Sequence, residues 1–348
     1  MVRKLETLVR LMEVYGLGGI ALNPGASLTY LTGLHFHLME RPTVLLISAA
    51  GSSAIVLPEL ERGKLQDESP LFHAFPYGDD PATWPIAFEQ AGAWLNLHHG
   101  KVGLEPTGLR FLELRYLEEA LPGIQFVDAQ QALAGLRMKK DPDEIEKMKQ
   151  AAKIAQEAML ILLTRLKEGM TEKQIANQLI IKLLRVGSDP NLPFSPIVAI
   201  GENSANPHAV PTDRALRFGD VLLVDWGAGY EGYFSDITRT FTFGEVDSEL
   251  LQIADIVLKA NQAGRDAGRP GVEAGAVDRA ARALIENAGY GAAFTHRTGH
   301  GLGMEAHESP YIYDGNDQIL APGMTFTVEP GIYLAGKGGV RIEDDVVI

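Results

Sequence analysis

The sequence predicts two domains: an α/β domain over residues 1–132 and, after a linker at 133–141, an α+β domain over 142–348 built as two similar halves facing each other. Three observations carry this reading. The 348 residues exceed what one ordinary domain comfortably holds. Up to about residue 132, helical and strand patterns alternate, as in layered α/β domains. Beyond Arg137-Met-Lys-Lys the order becomes two helices and then apolar β-like runs, and that order occurs twice. No short-period repeat is visible, so the chain is not a solenoid.

In the first domain Leu5, Leu8, Met12 and Tyr15 are spaced as one helix face. Gly16-Leu-Gly18-Gly19 lacks the strand-first context of a dinucleotide loop and reads as a turn. Gly19-Ile-Ala-Leu, Thr43-Val-Leu-Leu-Ile and Ser53-Ala-Ile-Val-Leu read as strands. Helical stretches at 82–97 and 108–121 flank a short strand at Val102-Gly-Leu. His35 and His37 alternate in the strand-like Leu34-His-Phe-His-Leu, as a solvated edge or a loop reaching a neighbouring subunit would.

The second domain opens on Asp141-Pro142-Asp143-Glu144, where Asp141 can cap, Pro142 suits the first helical position and Glu144 completes a capping box. Ile145, Met148, Ala152, Ala155, Met159, Leu162 and Leu166 then form one buried stripe. Thr171-Glu-Lys-Gln174 is a second capping box. Strand-like runs follow at Pro196-Ile-Val-Ala-Ile, Val221-Leu-Leu-Val-Asp225 and Tyr233 to Phe243. Helices at 248–267 and 273–288 lead to β-like runs at Thr325-Phe-Thr-Val and Val340-Arg-Ile-Glu343.

Composition excludes several classes. A hydrophobic fraction of 46% is too high for a disordered chain. No apolar run approaches the roughly eighteen residues of a membrane span, and Met1-Val-Arg-Lys-Leu-Glu has no signal-peptide core. Cysteine is absent, which removes disulfides, thiolate metal sites and cysteine nucleophiles together. A cytoplasmic location is the simplest expectation. A formal net charge of −14 argues against nucleic acid or an anionic membrane as partner. It reflects either solubility alone or acids that cations neutralise.

The positions of the acids favour the second. Asp225 ends a run of four apolar residues, and Asp236 lies in an aromatic, β-branched strand. Glu329 ends Thr325-Phe-Thr-Val, and Glu343 stands in Gly339-Val-Arg-Ile-Glu343. Either aspartate alone would be read as a strand-ending turn cap. Four carboxylates in buried-strand contexts would repel one another and force some to protonate, and a divalent pair removes that conflict. An imidazole is offered by Thr295-His296-Arg-Thr-Gly299-His300-Gly301, with His307 further on. His296 and His300 have the spacing of a zinc-protease helix, but the glycines oppose a helix and Arg297 stands where that motif needs glutamate. Nor is this a phosphate loop. A strand whose glycines admit a close neighbour fits better.

These residues resemble the pita-bread metallopeptidases, the prolidases, aminopeptidase P and the methionine aminopeptidases. The resemblance rests on Asp225-Trp-Gly-Ala228, Ser235-Asp-Ile-Thr-Arg-Thr240, Thr298-Gly-His-Gly-Leu-Gly303, Val328-Glu-Pro-Gly331 and Arg341-Ile-Glu-Asp-Asp345. Asn206-Pro-His208, Tyr30-Leu-Thr-Gly33 and Arg41-Pro42 extend it over essentially the whole chain. It implies a creatinase-like N-terminal domain and a pita-bread catalytic domain with pseudo-twofold halves. It implies two divalent ions, Mn²⁺ or Co²⁺ before Zn²⁺ or Fe²⁺, held by Asp225, Asp236, His300, Glu329 and Glu343. Asp236 and Glu343 would bridge the ions, and a bridging hydroxide would attack an Xaa-Pro bond. His208 would contact the carbonyl oxygen, His307 the substrate backbone, and Glu329 would shuttle a proton. Arg341, two residues before Glu343, would orient a ligand carboxylate. The implied partners are a peptide with proline second and another copy of the chain, as a homodimer.

Two departures bear on the activity. Ala306 precedes His307 where the family has Ile or Val. Tyr311 follows His307-Glu-Ser-Pro where strict dipeptidases carry arginine, which weakens a dipeptidase reading against aminopeptidase P. The chain also stops five residues after Glu343, where the family continues, which leaves open a shortened last strand or a sequence cut short of its natural end. Two other readings stay open: a metal-independent, creatinase-like hydrolase, and an inactive peptide-binding module of the same fold. The intact ligand set counts against both.

Overall fold

The computed structural model describes residues 2–65 and 72–348. The chain divides into two compact units, Met1–Arg137 and Met138–Ile348.

The first unit runs α1 (Val2–Val14), β1 (Gly19–Leu22), α2 (Ala26–Thr32), β2 (Val44–Ser48), β3 (Ser53–Pro58) and β4 (His73–Tyr77). It continues α3 (Trp84–Trp94), β5 (Gly100–Leu104), α4 (Phe111–Ala120), β6 (Ile124–Asp128) and α5 (Gln130–Arg137). The six strands form one mixed sheet, ordered β4-β3-β2-β1-β5-β6. Side-chain alternation explains why its strands read as continuous apolar runs. Ile20, Leu22, Leu45, Ile47, Ile55 and Leu57 pack with Leu8 and Met12 of α1 and Leu133 and Leu136 of α5. The residues between them, Ala21, Val44, Leu46, Ala54 and Val56, pack with Phe88 of α3 and Leu117 of α4. Both faces are covered, so both sets are apolar.

Residues 133–137, expected in the linker, complete α5, because Leu133 and Leu136 form a stripe three apart that buries against the sheet. No strand forms at 34–38. Phe36 packs against the core while His35 and His37 are exposed, which is the alternation of a solvated loop.

The second unit begins with α6 (Pro142–Leu163) and α7 (Glu172–Val186), each opened by the expected capping box. Then come β7 (Ile197–Ile200), β8 (Asp220–Trp226), β9 (Gly229–Tyr230), β10 (Tyr233–Phe234) and β11 (Ile237–Phe243). The sheet β11-β8-β7 packs under both helices, with Val198, Val224 and Trp226 against Ile154, Ala158, Leu179 and Leu183. The Trp226 indole donates to the Ala155 carbonyl at 2.9 Å, which satisfies the ring's only polar group.

The second half repeats this order with α8 (Ser248–Ala267) and α9 (Ala274–Asn287). Its strands are β12 (Gly299–Gly301), β13 (Glu308–Ile312), β14 (Thr325–Val328), β15 (Gly331–Leu334), β16 (Gly338–Arg341) and β17 (Asp344–Val347). The sheet is ordered β13-β12-β14-β17, and β15 and β16 form a separate hairpin. An isolated antiparallel bridge between Thr238 of β11 and Glu343, which stands between β16 and β17, links the two halves.

Two expected strands are interrupted, both at acids. The span Tyr233 to Phe243 breaks at Ser235 and Asp236, where the Asp236 amide donates to the Asp345 carboxylate at 3.1 Å instead of to a ladder. The run Val340 to Glu343 ends at Arg341, and the Glu343 amide donates to the Thr238 carbonyl. In each case the chain changes its pairing partner, and the acid sits at the change.

Candidate active site

The interruptions have a chemical outcome. Asp225, Asp236, His300, Glu329 and Glu343 come from five separate stretches of chain and line one cleft of about 610 Å³ in the second unit. Asp225 is the next-to-last residue of β8, level with Ile197 and Thr238 on the neighbouring strands. Asp236 fills the break before β11, and Glu329 follows β14 directly. Glu343 stands between β16 and β17.

His300 is the centre of β12, and its neighbours explain the Gly-His-Gly sequence. A Cβ on Gly299 would stand 1.9 Å from the Thr327 carbonyl oxygen, and one on Gly301 2.4 Å from that of Ser309. Only glycine lets this strand pass between β14 and β13.

The electrostatics of the cluster are unfavourable as bare protein. The His300 amide donates to Thr327 Oγ1 at 3.1 Å. Its Nδ1 lies 3.1 Å from the Gly301 carbonyl, which fixes the proton on Nδ1 and leaves Nε2 with a lone pair. That lone pair faces Glu329 Oε1 at 3.3 Å and Asp236 Oδ2 at 3.7 Å. Burial holds the imidazole neutral, its pKa lowered to about 3. In the bare protein that lone pair meets these oxygens only if a carboxyl group takes up a proton, which costs the acid its charge.

The acids respond in the opposite sense. Burial first, and then neighbouring carboxylates, Glu343 and Asp225 for Asp236 and Glu329 and Asp225 for Glu343, push both well above the usual carboxylate range. Burial also raises Glu329, to about 8. Asp225 Oδ1 and Asp236 Oδ1 are buried and accept no hydrogen bond among the described residues. Asp236, His300 and Glu343 each offer one ligand atom, all within 4.8 Å of one another, which is spacing that could hold a metal ion. Orphaned carboxylate oxygens and an imidazole lone pair pointing inward are what a cation would satisfy.

Arg341 contacts a carboxylate of the cluster as expected, but not by way of a strand face shared with Glu343, because β16 ends at Arg341 itself. Thr238 links the two instead: its Oγ1 accepts from Arg341 Nε at 3.2 Å and donates to Glu343 Oε2 at 2.6 Å. Arg341 Nη2 reaches Asp225 Oδ2 at 2.7 Å.

His208 and His307 are exposed on the rim of the cleft. The His307 ring meets that of His300 edge-on, centroids 4.0 Å apart. His208 rides on a loop fixed from below by Glu172. This carboxylate is fully buried and accepts from Ile200 N, Asn203 Nδ2, and both the amide and hydroxyl of Thr212, at 2.6–3.0 Å.

Sequence reasoning left several supporting residues unassigned. Tyr333 accepts from Arg341 Nη1 at 3.0 Å and its hydroxyl lies 2.7 Å from His296 Nε2. Asp345 anchors the Asp236 amide, and Thr238 joins Arg341 to Glu343. Thr238 and Asp345 lay inside motifs already singled out, two residues from an acid in each case, and Tyr333 followed Val328-Glu-Pro-Gly331 closely. Glu172 gave no signal beyond its place inside a capping box.

Fold and site together define a class. Residues 146–348 match the profile of metallopeptidase family M24, and residues 4–139 that of the Creatinase/Prolidase N-terminal domain. The chain belongs to metallopeptidase family M24, and its second unit is the pita-bread catalytic fold. It is 39% identical to a dipeptidase from Pyrococcus horikoshii OT3, whose crystal structure superposes with a TM-score of 0.93 over 99% of this chain and 94% of that one. A recombinant prolidase from Thermococcus sibiricus superposes with a TM-score of 0.94 at 34% identity, over the same shares. The "Probable dipeptidase PepE" of Mycobacterium tuberculosis is 38% identical over 340 residues, 96% of this chain and 88% of its own. No described helix is long and apolar enough to cross a membrane.

Proposed function

We infer that the protein is a two-metal peptidase that cleaves the bond before proline, in Xaa-Pro dipeptides or at peptide N-termini. The observation that carries this is the His300 Nε2 lone pair facing two carboxylate oxygens, with Asp225 and Asp236 each keeping an unpartnered buried oxygen. The donor set, four carboxylates and one imidazole, suits Mn²⁺ or Co²⁺. Asp225, Asp236, His300, Glu329 and Glu343 would hold the ions. Bound there, such ions activate a water and polarise the scissile carbonyl.

The protein's own groups do the rest. Arg341 holds Asp225 in place through its charged hydrogen bond. His208 donates to the carbonyl oxygen as negative charge develops on it. His307 fixes the substrate backbone. Glu329 carries a proton to the proline nitrogen, which must leave as an amine. The cleft lining also includes Pro193, Phe194, Pro207 and Pro211, apolar surface that suits a pyrrolidine ring. The prolidase and dipeptidase names of the relatives support the same substrate class. The homodimer and the cytoplasmic location belong to this reading on family grounds.

Metal analysis, chelation and readdition test it. Hydrolysis of Ala-Pro should vanish with EDTA and return with Mn²⁺ or Co²⁺. Activity that survives complete metal removal would favour the creatinase-like hydrolase, and no hydrolysis with either metal would favour the binding module.

A further inference from the structure

We propose that Arg297 holds the free carboxylate of the proline residue and so makes this protein a dipeptidase rather than a trimmer of longer peptides. The inference rests on the Xaa-Pro reading above and adds the residue that sets substrate length.

Only two permanent cations line the cleft among the described residues, Arg297 and Arg341. Arg341 is 3% exposed, and its nitrogens are committed to Asp225, Tyr333, Thr238 and Pro207. Arg297 is different. It is partly exposed, and no acidic side chain among the described residues pairs with it. Its guanidinium stacks over the Tyr311 ring, 4.4 Å from the centroid. Tyr311 in turn is the register partner of His300 across β12 and β13, so the stacked guanidinium stands on the strand beside the acid cluster. Arg297 also lines the cleft beside His296, His300 and His307, together with the acids.

The chemistry of the substrate supplies the missing partner. In an Xaa-Pro dipeptide a carboxylate lies one residue beyond the scissile bond, and in a longer peptide a neutral amide replaces it. A guanidinium grips a carboxylate through two parallel hydrogen bonds, and stacking on an aromatic ring fixes the plane of that fork. An amide accepts only one such bond and carries no charge. Desolvated in the cleft, the pairing discriminates by charge and shape together.

The test compares Ala-Pro, its C-terminal amide and Ala-Pro-Ala in the metal-loaded enzyme. Wild type should prefer the free acid by about 30-fold or more in kcat/KM, with most of the difference in KM. Arg297→Gln should bring all three substrates within about threefold, Arg297→Lys should retain part of the preference, and Tyr311→Leu should lose a smaller part. A general loss of activity in Arg297→Gln cancels in the ratio, and unchanged thermal melting separates it from misfolding. A second readout needs no turnover: calorimetry should find that wild type binds proline more tightly than prolinamide, and that Arg297→Gln does not distinguish them. A wild-type enzyme indifferent to the amide, or an Arg297→Gln variant that keeps the preference in both assays, overturns the assignment. Failure to cleave any of the three peptides would instead sink the Xaa-Pro reading, while the proline and prolinamide titration still decides the role of Arg297.

Discussion

Arg341 donates Nη2 to Asp225 Oδ2 at 2.7 Å from a position only 3% exposed to solvent. Burial works against the guanidinium charge, but Tyr333 and the surrounding acids more than offset it, so the cation persists. It is one of two permanent positive charges lining the cleft among the described residues, and its planar guanidinium ties Asp225 to Tyr333 and Thr238 at once. Arg341→Lys keeps the charge and loses the fork. Metal titration should find binding weakened by about 10- to 100-fold, with a parallel fall in kcat. Unaltered metal affinity would remove Arg341 from the list of positioning groups.

The metal-free protein should weaken as pH rises, opposite to the usual behaviour of buried, paired acids. Free carboxyl groups titrate near pH 4 in an unfolded chain. In the fold, burial lifts Glu329 and Asp345 to about 8 and Asp236 and Glu343 well upward. The folded state then binds more protons than the unfolded one across that window, so stability present below about pH 4 is lost as pH climbs toward 8. In EDTA, melting temperature should fall from pH 5 to pH 8. Glu329→Gln should remove about one proton from the slope, roughly 1.4 kcal/mol per pH unit. Saturating Mn²⁺ should reverse the trend, because the ligands must be deprotonated to bind it. A flat metal-free profile would mean the acids are not in conflict.

Glu172 makes no contact with the acid cluster, yet it organises the loop that carries His208. Five of its hydrogen bonds arrive from residues 200–212, none longer than 3.0 Å. Glu172→Ala strands those donors in a buried place, at a cost of about 3 kcal/mol or more. Urea unfolding should register that loss, and turnover should fall with it through a displaced His208. A variant with the wild-type midpoint and wild-type kcat would leave the loop without this anchor.

Gly299→Ala tests whether the narrow passage of β12 is needed. Its Cβ would meet backbone, the Thr327 carbonyl at 1.9 Å, and backbone cannot swing away. The neighbouring bond from the His300 amide to Thr327 Oγ1 would be disturbed with it. A loss of about 3 kcal/mol, or roughly 6–12 °C in Tm, is expected together with weaker metal binding. Gly63→Ala, where nothing stands within 4 Å of the added carbon, is the control and should melt as wild type does. Equal melting of the two variants would show the passage to be wider than it looks.

Amino-acid order alone determined the local elements and the identity of the converging side chains. The boxes at Asp141 and Thr171 started α6 and α7 where expected, because capping is settled within four residues. Asp225 and Glu329 stood at strand ends as their apolar runs foretold. What the order could not convey was where strands stop for reasons outside themselves. Asp236 breaks its strand because Asp345, more than a hundred residues away, takes its amide proton. β16 ends at Arg341 because Thr238 claims the next backbone amide but one. Tyr333, Thr238 and Glu172 acquire their roles only from the neighbours that folding gives them. A side chain's type is written in one position, whereas its partner is chosen by distance in space, and only the tertiary structure supplies that.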